Sequence, residues 1–371
     1  MNIKINCQDL QDSLSVVTRA IPIRPPQKIY EGVLIQSNDN NQVIITCSDS
    51  NLTIRSSINA DVENSGAVVL PGRFFSELIR KMPLSEISLS SKEDNKVQIK
   101  CMSSNSSIMG MNAFEFPEMG KMNKVVQFEI PQKQLKEMIN KTSFALSTDE
   151  NKPVFTGSLM ELSNNEIRLV ALDGFRIAIQ IYPMEINIPE GNDLYKVIVP
   201  GKMIQELGRI LQDNDHPCII TINNKSIKVE FDNIEVLSVL ISGEFIDYRK
   251  IIPKQFKSYA EIDKTFFQES IERASLLAKE GKNNTIRMKM ENNHLRIMSH
   301  AEMGELNEDM NIQFSGDPLD IAFNSKYLSE IIKNIPEEKI FMNFNSNVSP
   351  CVINNVEKND YIYMVLPMRV N

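Results

Sequence analysis

The chain opens on an alternating apolar run at residues 3–6, followed by Leu10, Leu14 and Val17 at helical spacing. Strand-length apolar runs at 32–36 and 42–47 come next, divided by Asn/Asp-rich turns. Another run at 68–70 leads into a second helical pattern. Its first turn is expected to hold Pro71, where a missing N–H does no harm, and Pro83 is expected to close it. Phe75, Leu78, Ile79 and Met82 form the stripe that must face a sheet. The predicted order is strand, helix, several strands, helix, several strands. Such an α+β unit of antiparallel sheet and two helices has strand edges that need partners.

That order occurs three times. V-V-L-P-G-R-F-F-S-E-L-I-R-K-M-P (68–83), V-I-V-P-G-K-M-I-Q-E-L-G-R-I-L-Q (197–212) and I-A-F-N-S-K-Y-L-S-E-I-I-K-N-I-P (321–336) align without gaps. I-K-I-N-C-Q-D-L (3–10), F-E-I-P-Q-K-Q-L (128–135) and A-E-I-D-K-T-F-F (260–267) form an earlier triplet. The copies lie 124 to 132 residues apart in a chain of 371, so three copies of one domain tile it. The expected domains are 1–125, 126–254 and 255–371, each too long for a solenoid repeat. In the third copy Asn324 takes the Pro71 slot as a candidate N-cap, and Pro336 follows the helix.

Charge adds a second regularity. In the second helix of each copy one slot holds Arg73, Lys202 and Lys326, and the slot two turns later holds Arg80, Arg209 and Lys333. Lys and Arg are only 40 of 371 residues, so six basic residues in six slots is not composition noise. Lys141 and Arg273 echo the pattern in the first helix, where the first copy has Val16. Two readings stand. Glu77, Glu206 and Glu330 lie between the cations, so the face is an ion-paired, solvated one, or it is a surface for a polyanion. Exposed pairs contribute only ~0.3–0.5 kcal/mol, little reason for one sign to hold its slots three times. Phosphate contacts of this kind would carry no sequence information.

Composition narrows the class. A hydrophobic fraction of 42 % and a charged fraction of 24 % exclude a collagen, a coiled-coil rod and a disordered chain. The net charge of −8 argues against coating nucleic acid with the whole surface. No run approaches a membrane span, and M-N-I-K-I-N-C-Q-D-L has no signal-peptide pattern. Five separated cysteines read as reduced thiols, and His216 and Cys218 are at most half a metal site. No phosphate-binding loop, dinucleotide fingerprint, nucleophile elbow or zincin motif is present. Carboxylates assembled in space, Asp173 and Asp247 among them, would leave no motif, so an enzyme stays open, as does a protein-binding scaffold.

A-L-D-G-F-R-I-A (171–178), F-I-D-Y-R-K-I-I-P (245–253), F-E-F-P (114–117) and Y-M-V-L-P-M-R-V-N (363–371), in a triplicated chain of this length, resemble the bacterial DNA polymerase III beta subunits, the sliding clamps. The resemblance covers the whole chain. It implies three pseudo-equivalent DNA-clamp domains in a head-to-tail dimeric ring, sheets outside and two helices per domain inside, around double-stranded DNA. It implies a cytoplasmic, non-catalytic processivity factor without cofactor or membrane contact. The partners implied are the replicative polymerase, an ATP-driven clamp loader, translesion polymerases, ligase and mismatch-repair proteins. Facing DNA would be Arg24, Arg73, Arg80, Lys81, Lys141, Lys202, Arg209, Arg273, Lys326 and Lys333.

The family's peptide pocket would be built here from Phe155, Leu172, Gly174, Phe175, Arg176 and Ile177, then Ile246, Lys250 and Ile251. Asn324, Tyr327, Val348 and Pro350 follow, with Met364, Leu366, Pro367, Met368, Arg369 and Val370 from the terminus. Residue chemistry alone reads the terminal run as a buried last strand and Asp173–Arg176 as a turn-stabilising pair. Phe175 and Ile246 stand where the family usually has His and Pro, and Asn371 extends past its usual terminal aliphatic residue. The implied dimer interface would use Phe74, Ile108, Leu276 and Leu277 with Glu302 and Glu305. The segment 103–111 lacks the arginines that some relatives pair with such acids, so apolar contacts are expected to matter more there.

Overall fold

The computed structural model describes the chain except residues 92–93, 118–121, 190, 192, 282, 356–357 and 370–371. Among the described residues the α-helices are α1 (Cys7–Val17), α2 (Gly72–Arg80), α3 (Gln132–Ser143), α4 (Gly201–Ile210), α5 (Lys264–Glu280) and α6 (Ser325–Lys333). All named strand pairings are antiparallel, and the class is α+β. Contacts divide the chain into two compact units, residues 1–136 with 205–240 and residues 137–204 with 241–371, a division that falls inside α3 and α4.

The first unit holds a five-stranded sheet in the order Asp61–Asn64, Asn2–Asn6, Glu86–Ser91, Lys96–Cys101, Ser104–Met109. Its eight-stranded sheet runs Val126–Pro131, Pro217–Ile222, Ser226–Phe231, Ile234–Val239, Leu52–Asn59, Gln42–Ser48, Gly32–Asn38, Gly66–Pro71. The second unit has a nine-stranded sheet, Tyr195–Pro200, Gly157–Leu162, Glu166–Leu172, Arg176–Pro183, Tyr361–Val365, Cys351–Asn354, Lys339–Phe344, Ser258–Asp263, Gln313–Ser315. Its four-stranded sheet runs Gly304–Asn311, His294–Ala301, Thr285–Glu291, Leu319–Asn324.

Both long sheets are composite, joined at strands from successive repeats. Ile234–Val239, closing the second repeat, pairs with Leu52–Asn59 of the first, with Val236 opposite Ile54. Tyr361–Val365, closing the third, pairs with Arg176–Pro183 of the second, with Ile362 opposite Ile179. After each closing strand the chain crosses back to bond its own repeat's second-helix strand: Met111 to Val69, Ile241 to Ile198 and Met368 to Ala322. One backbone contact thus recurs three times where the side chains differ.

Helix starts follow local chemistry. Asn6 accepts from the Gln8 and Asp9 amides, Asp263 from that of Phe266, and Asn324 from those of Lys326 and Tyr327, so Asn324 is the expected N-cap. Pro71 corrects the sequence reading. It sits at the N-cap of α2 rather than in the first turn, as the last residue of an edge strand, where no ladder N–H is needed. The glycine that opens α4 is required by a close approach: a Cβ on Gly201 would lie 2.3 Å from the Thr156 carbonyl oxygen. Phe75 and Ile79 of α2 and Leu328, Ile331 and Ile332 of α6 are buried, as the stripe predicts, and Leu78 is half-buried. The five cysteines are free and buried, and burial pushes the Cys218 thiol up to about 12.

Candidate basic face and apolar groove

The buried stripe of each second helix leaves its basic slots outward. Arg73 and Arg80 of α2, Lys202 and Arg209 of α4, and Lys326 and Lys333 of α6 are exposed, as are Arg24 and Lys81. The ion-pair reading holds in part. Arg80 bonds Glu77 at 2.6 Å and Arg209 bonds Glu206 at 2.5 Å, each within its own helix. Lys333 instead reaches Glu272 of α5 at 3.5 Å, and Arg73 donates to the Pro22 carbonyl. Arg273 is exposed but donates twice to Glu308, at 2.8 and 2.7 Å. Lys141 departs from expectation: it is 9 % exposed and bound to Glu137 one turn back, so its ammonium is not turned to the surface.

Glu330, the acid of the third copy, has a different partner. Arg176 donates from Nε to Asp173 Oδ2 at 2.9 Å, from Nη1 to Glu330 and from Nη2 to the Phe144 carbonyl at 2.6 Å. Its guanidinium lies 4.6 Å from the Tyr327 ring centroid and 5.3 Å from that of Phe144. Phe175 stacks on Tyr327 at 5.8 Å. At 6 % exposure Arg176 is buried, with one bond from each of its three nitrogens to the chain and its guanidinium lying on the Tyr327 ring. Asp173 Oδ1 accepts from the Phe175 and Arg176 amides across a turn in which Gly174 has φ +92°. The turn-stabilising reading of Asp173–Arg176 is therefore right as local chemistry, and it leaves the Phe175 ring 56 % exposed.

Around that turn the structure brings together part of the expected set. Leu172, Ile177 and Met364 are buried in one cluster with Tyr248 and Val352, and Phe155 and Leu366 pack on it. Phe155 meets Phe245 edge to face at 5.7 Å, and Leu366 donates its amide to the Phe175 carbonyl. The terminal run divides: Tyr361–Val365 is a last strand, mostly buried, whereas Leu366, Pro367 and Met368 are half-buried and Arg369 is exposed. Asn324 caps the helix that carries Tyr327. Ile246, Lys250 and Ile251 are exposed on the 244–252 segment, and Val348 and Pro350 stand on the loop before Cys351–Asn354. Val370 lies outside the described residues.

Sequence reasoning missed what holds the 244–252 segment. Glu161, 1 % exposed on strand Gly157–Leu162, accepts from Tyr248 Oη at 2.7 Å and from both Arg249 Nη atoms at 3.0 and 2.5 Å. Burial opposes ionisation of Glu161, but the bonds from Arg249 and Tyr248 and the charges of Arg249 and Lys196 outweigh it, so the carboxyl titrates below its ordinary range. Asp247, the other carboxylate weighed for catalysis, pairs with Lys250 at 3.2 Å. No group of three or more His, Cys, Asp or Glu able to hold a metal ion occurs among the described residues. His216 pairs with Asp232 at 3.1 Å.

Among the strands that end a sheet are Ser104–Met109 and Gly304–Asn311. They occupy the same places in the repeat as the strands joined at the two internal junctions. Alternation along Ser104–Met109 corrects one expectation: Ile108 points inward at 7 % exposure and its neighbour Met109 is 62 % exposed. Phe74 and Leu276 are 60 % and 68 % exposed, Leu277 is half-buried, and Glu302 and Glu305 are exposed. The next acids along the edge are engaged within the chain. The Arg273 guanidinium holds Glu308, and that of Arg296 holds Asp309, below the usual carboxylate range.

Three family models match in series: DNA polymerase III beta subunit, N-terminal domain over residues 1–120, central domain over 129–247 and C-terminal domain over 249–369. The chain is 30 % identical over 368 residues to the beta sliding clamp of Staphylococcus epidermidis, covering 96 % of each. It superposes on the DNA polymerase sliding clamp of Bacillus subtilis with a TM-score of 0.95 at 29 % identity, over all of both chains. For the DNA polymerase III beta subunit of Thermotoga maritima the values are 0.92 and 26 %, again over all of both.

Proposed function

The chain belongs to the DNA polymerase III beta-subunit family, the non-catalytic sliding clamps of replication, and on that premise we propose that two copies close head to tail into a ring around duplex DNA. One observation carries the reading. Two equivalent strand pairs are already joined inside the chain, Ile234–Val239 with Leu52–Asn59 and Tyr361–Val365 with Arg176–Pro183. The third equivalent pair, Ser104–Met109 and Gly304–Asn311, is left with free edges. A second copy supplies each edge with its counterpart, and two such contacts close the assembly. Three domains per chain, 1–125, 126–254 and 255–371, then make six in the ring.

Arg24, Arg73, Arg80, Lys81, Lys202, Arg209, Lys326 and Lys333 contact phosphates without reading bases, and the acidic remainder of the surface discourages binding elsewhere. The groove around Phe175 and Met364 takes a short apolar peptide from the replicative polymerase. Translesion polymerases, ligase and mismatch-repair proteins take turns at the same groove. Loading falls to an ATP-driven partner, because this chain has no phosphate-binding loop. The protein works where a bacterial chromosome lies, in the cytoplasm.

The test is topological. Protein loaded on a closed circle is expected to stay through washing and to leave once the circle is cut. Equal retention on both forms would refute encirclement. A second experiment addresses the groove. Removing residues 368–371 takes away Met368, whose amide bonds Ala322, and is expected to lower apolar-peptide affinity at least tenfold while the dimer mass is unchanged. Equal peptide affinity would remove the terminus from the site.

A further inference from the structure

We propose that Glu161 is a positioning residue for the groove, holding the 244–252 segment so that Ile246, Lys250 and Ile251 form one wall; the proposal rests on the groove reading above. Glu161 meets no ligand. Its two oxygens accept three hydrogen bonds from Tyr248 and Arg249, and Lys196 Nζ stands 3.5 Å away. Arg249 lies over the Tyr248 ring at 4.7 Å, and Tyr248 is buried in the cluster that floors the groove. Tyr248 and Arg249 therefore face the sheet, and the residues on either side of them, Ile246, Lys250 and Ile251, are turned outward.

The internal repeats supply an independent observation. Gly32 pairs with Pro71, Gly157 with Pro200 and Thr285 with Asn324, which sets the three sheets in register. Four residues along, Gln36, Glu161 and Lys289 occupy one position. Gln36 and Lys289 are exposed, and the carboxylate in the second repeat is the one buried. The buried acid thus coincides with the repeat whose following segment supplies groove residues. A buried carboxylate is retained at a desolvation cost, so a clamp on two named side chains is a better account of it than general stability.

The experiment uses the full-length protein and a fluorescein-labelled hexapeptide rich in Leu and Phe. Glu161→Gln is expected to weaken peptide binding at least tenfold and to speed amide exchange across 245–252 at least tenfold. Dimer mass and exchange in α2 and α6 stay as they were. Peptide affinity and exchange equal to the unaltered protein would overturn the proposal. Should Glu161→Gln lose its fold, Tyr248→Phe keeps the ring volume, removes one bond and is expected to weaken the peptide about threefold; no change there also overturns it. In a cycle with Arg249→Met, the double variant is expected to lose less than the product of the two single losses, and a simple product counts against a clamp. If the unaltered protein ignores the peptide, the groove reading fails, and amide exchange in peptide-free Glu161→Gln still decides whether Glu161 holds the segment.

Discussion

Phe74→Asp combined with Leu276→Asp is expected to leave a 42.2 kDa monomer at concentrations where the unaltered protein has about twice that mass. The expectation comes from the internal junction. Tyr327 stands at the Phe74 position of the third repeat and Phe144 at the Leu276 position of the second, and those two rings flank the Arg176 guanidinium. By the same register, in the proposed dimer Phe74 of one copy would meet Leu276 of the other, which would cover two large apolar side chains left 60 % and 68 % exposed. Losing two buried apolar side chains costs about 3–6 kcal/mol per junction, and carboxylates put in their place cost more. A ring has two such junctions, so dimerisation should weaken on the order of 10⁴-fold or more. Phe74→Lys with Leu276→Asp should restore part of it. Because Glu308 and Asp309 are neutralised within the chain, dimer mass should hold between low and high salt. Analytical ultracentrifugation reads both results. A dimer that survives the double Asp change would place the contact elsewhere.

What was legible before folding is what repeats at short range. The stripe Phe75, Leu78, Ile79 and Met82 and the basic slots beside it depend only on helical period, and they came out in phase. Errors appeared where a face or a register had to be chosen. One step along Ser104–Met109 exchanges Ile108 for Met109, and apolar residues on both gave no way to choose. Lys141 aligns with exposed Arg273 but is buried against Glu137, since the two first helices lie in different surroundings. Pairs far apart in sequence were out of reach. Arg176 and Glu330 are 154 residues apart, and Tyr248 and Glu161 are 87 apart. Glu330 was legible only as the third member of an ion-pair ladder, yet its carboxylate accepts from Arg176. The family resemblance named the residues proposed for the groove. Which of them are buried, like Arg176, and which are exposed follows only from the fold.

Replacing Arg73, Arg80, Arg209 and Lys333 together by Ala is the measurement that separates a DNA-facing wall from a solvated ladder. If each cation meets one phosphate, the slope of log affinity against log salt flattens by about 3–4, at roughly 0.9 per contact, and affinity near 0.1 M salt falls on the order of 10³-fold. The loss should be uniform across duplex sequences, because none of these side chains has a base to read. The ion pairs seen in the free chain do not argue against this. The cations of Arg80–Glu77, Arg209–Glu206 and Lys333–Glu272 are all more than half exposed, and such pairs contribute about 0–1 kcal/mol, so exchanging Glu for phosphate costs little. For the same reason the fourfold variant should fold and keep its dimer mass. Lys141→Ala is the internal control. With its ammonium buried on Glu137, it should leave the salt slope unchanged, although a first-helix cation was expected to face DNA. An unchanged slope in the fourfold variant would reduce the repeated stripe to surface chemistry, and a slope change from Lys141 alone would mean that the helix opens to admit the polyanion.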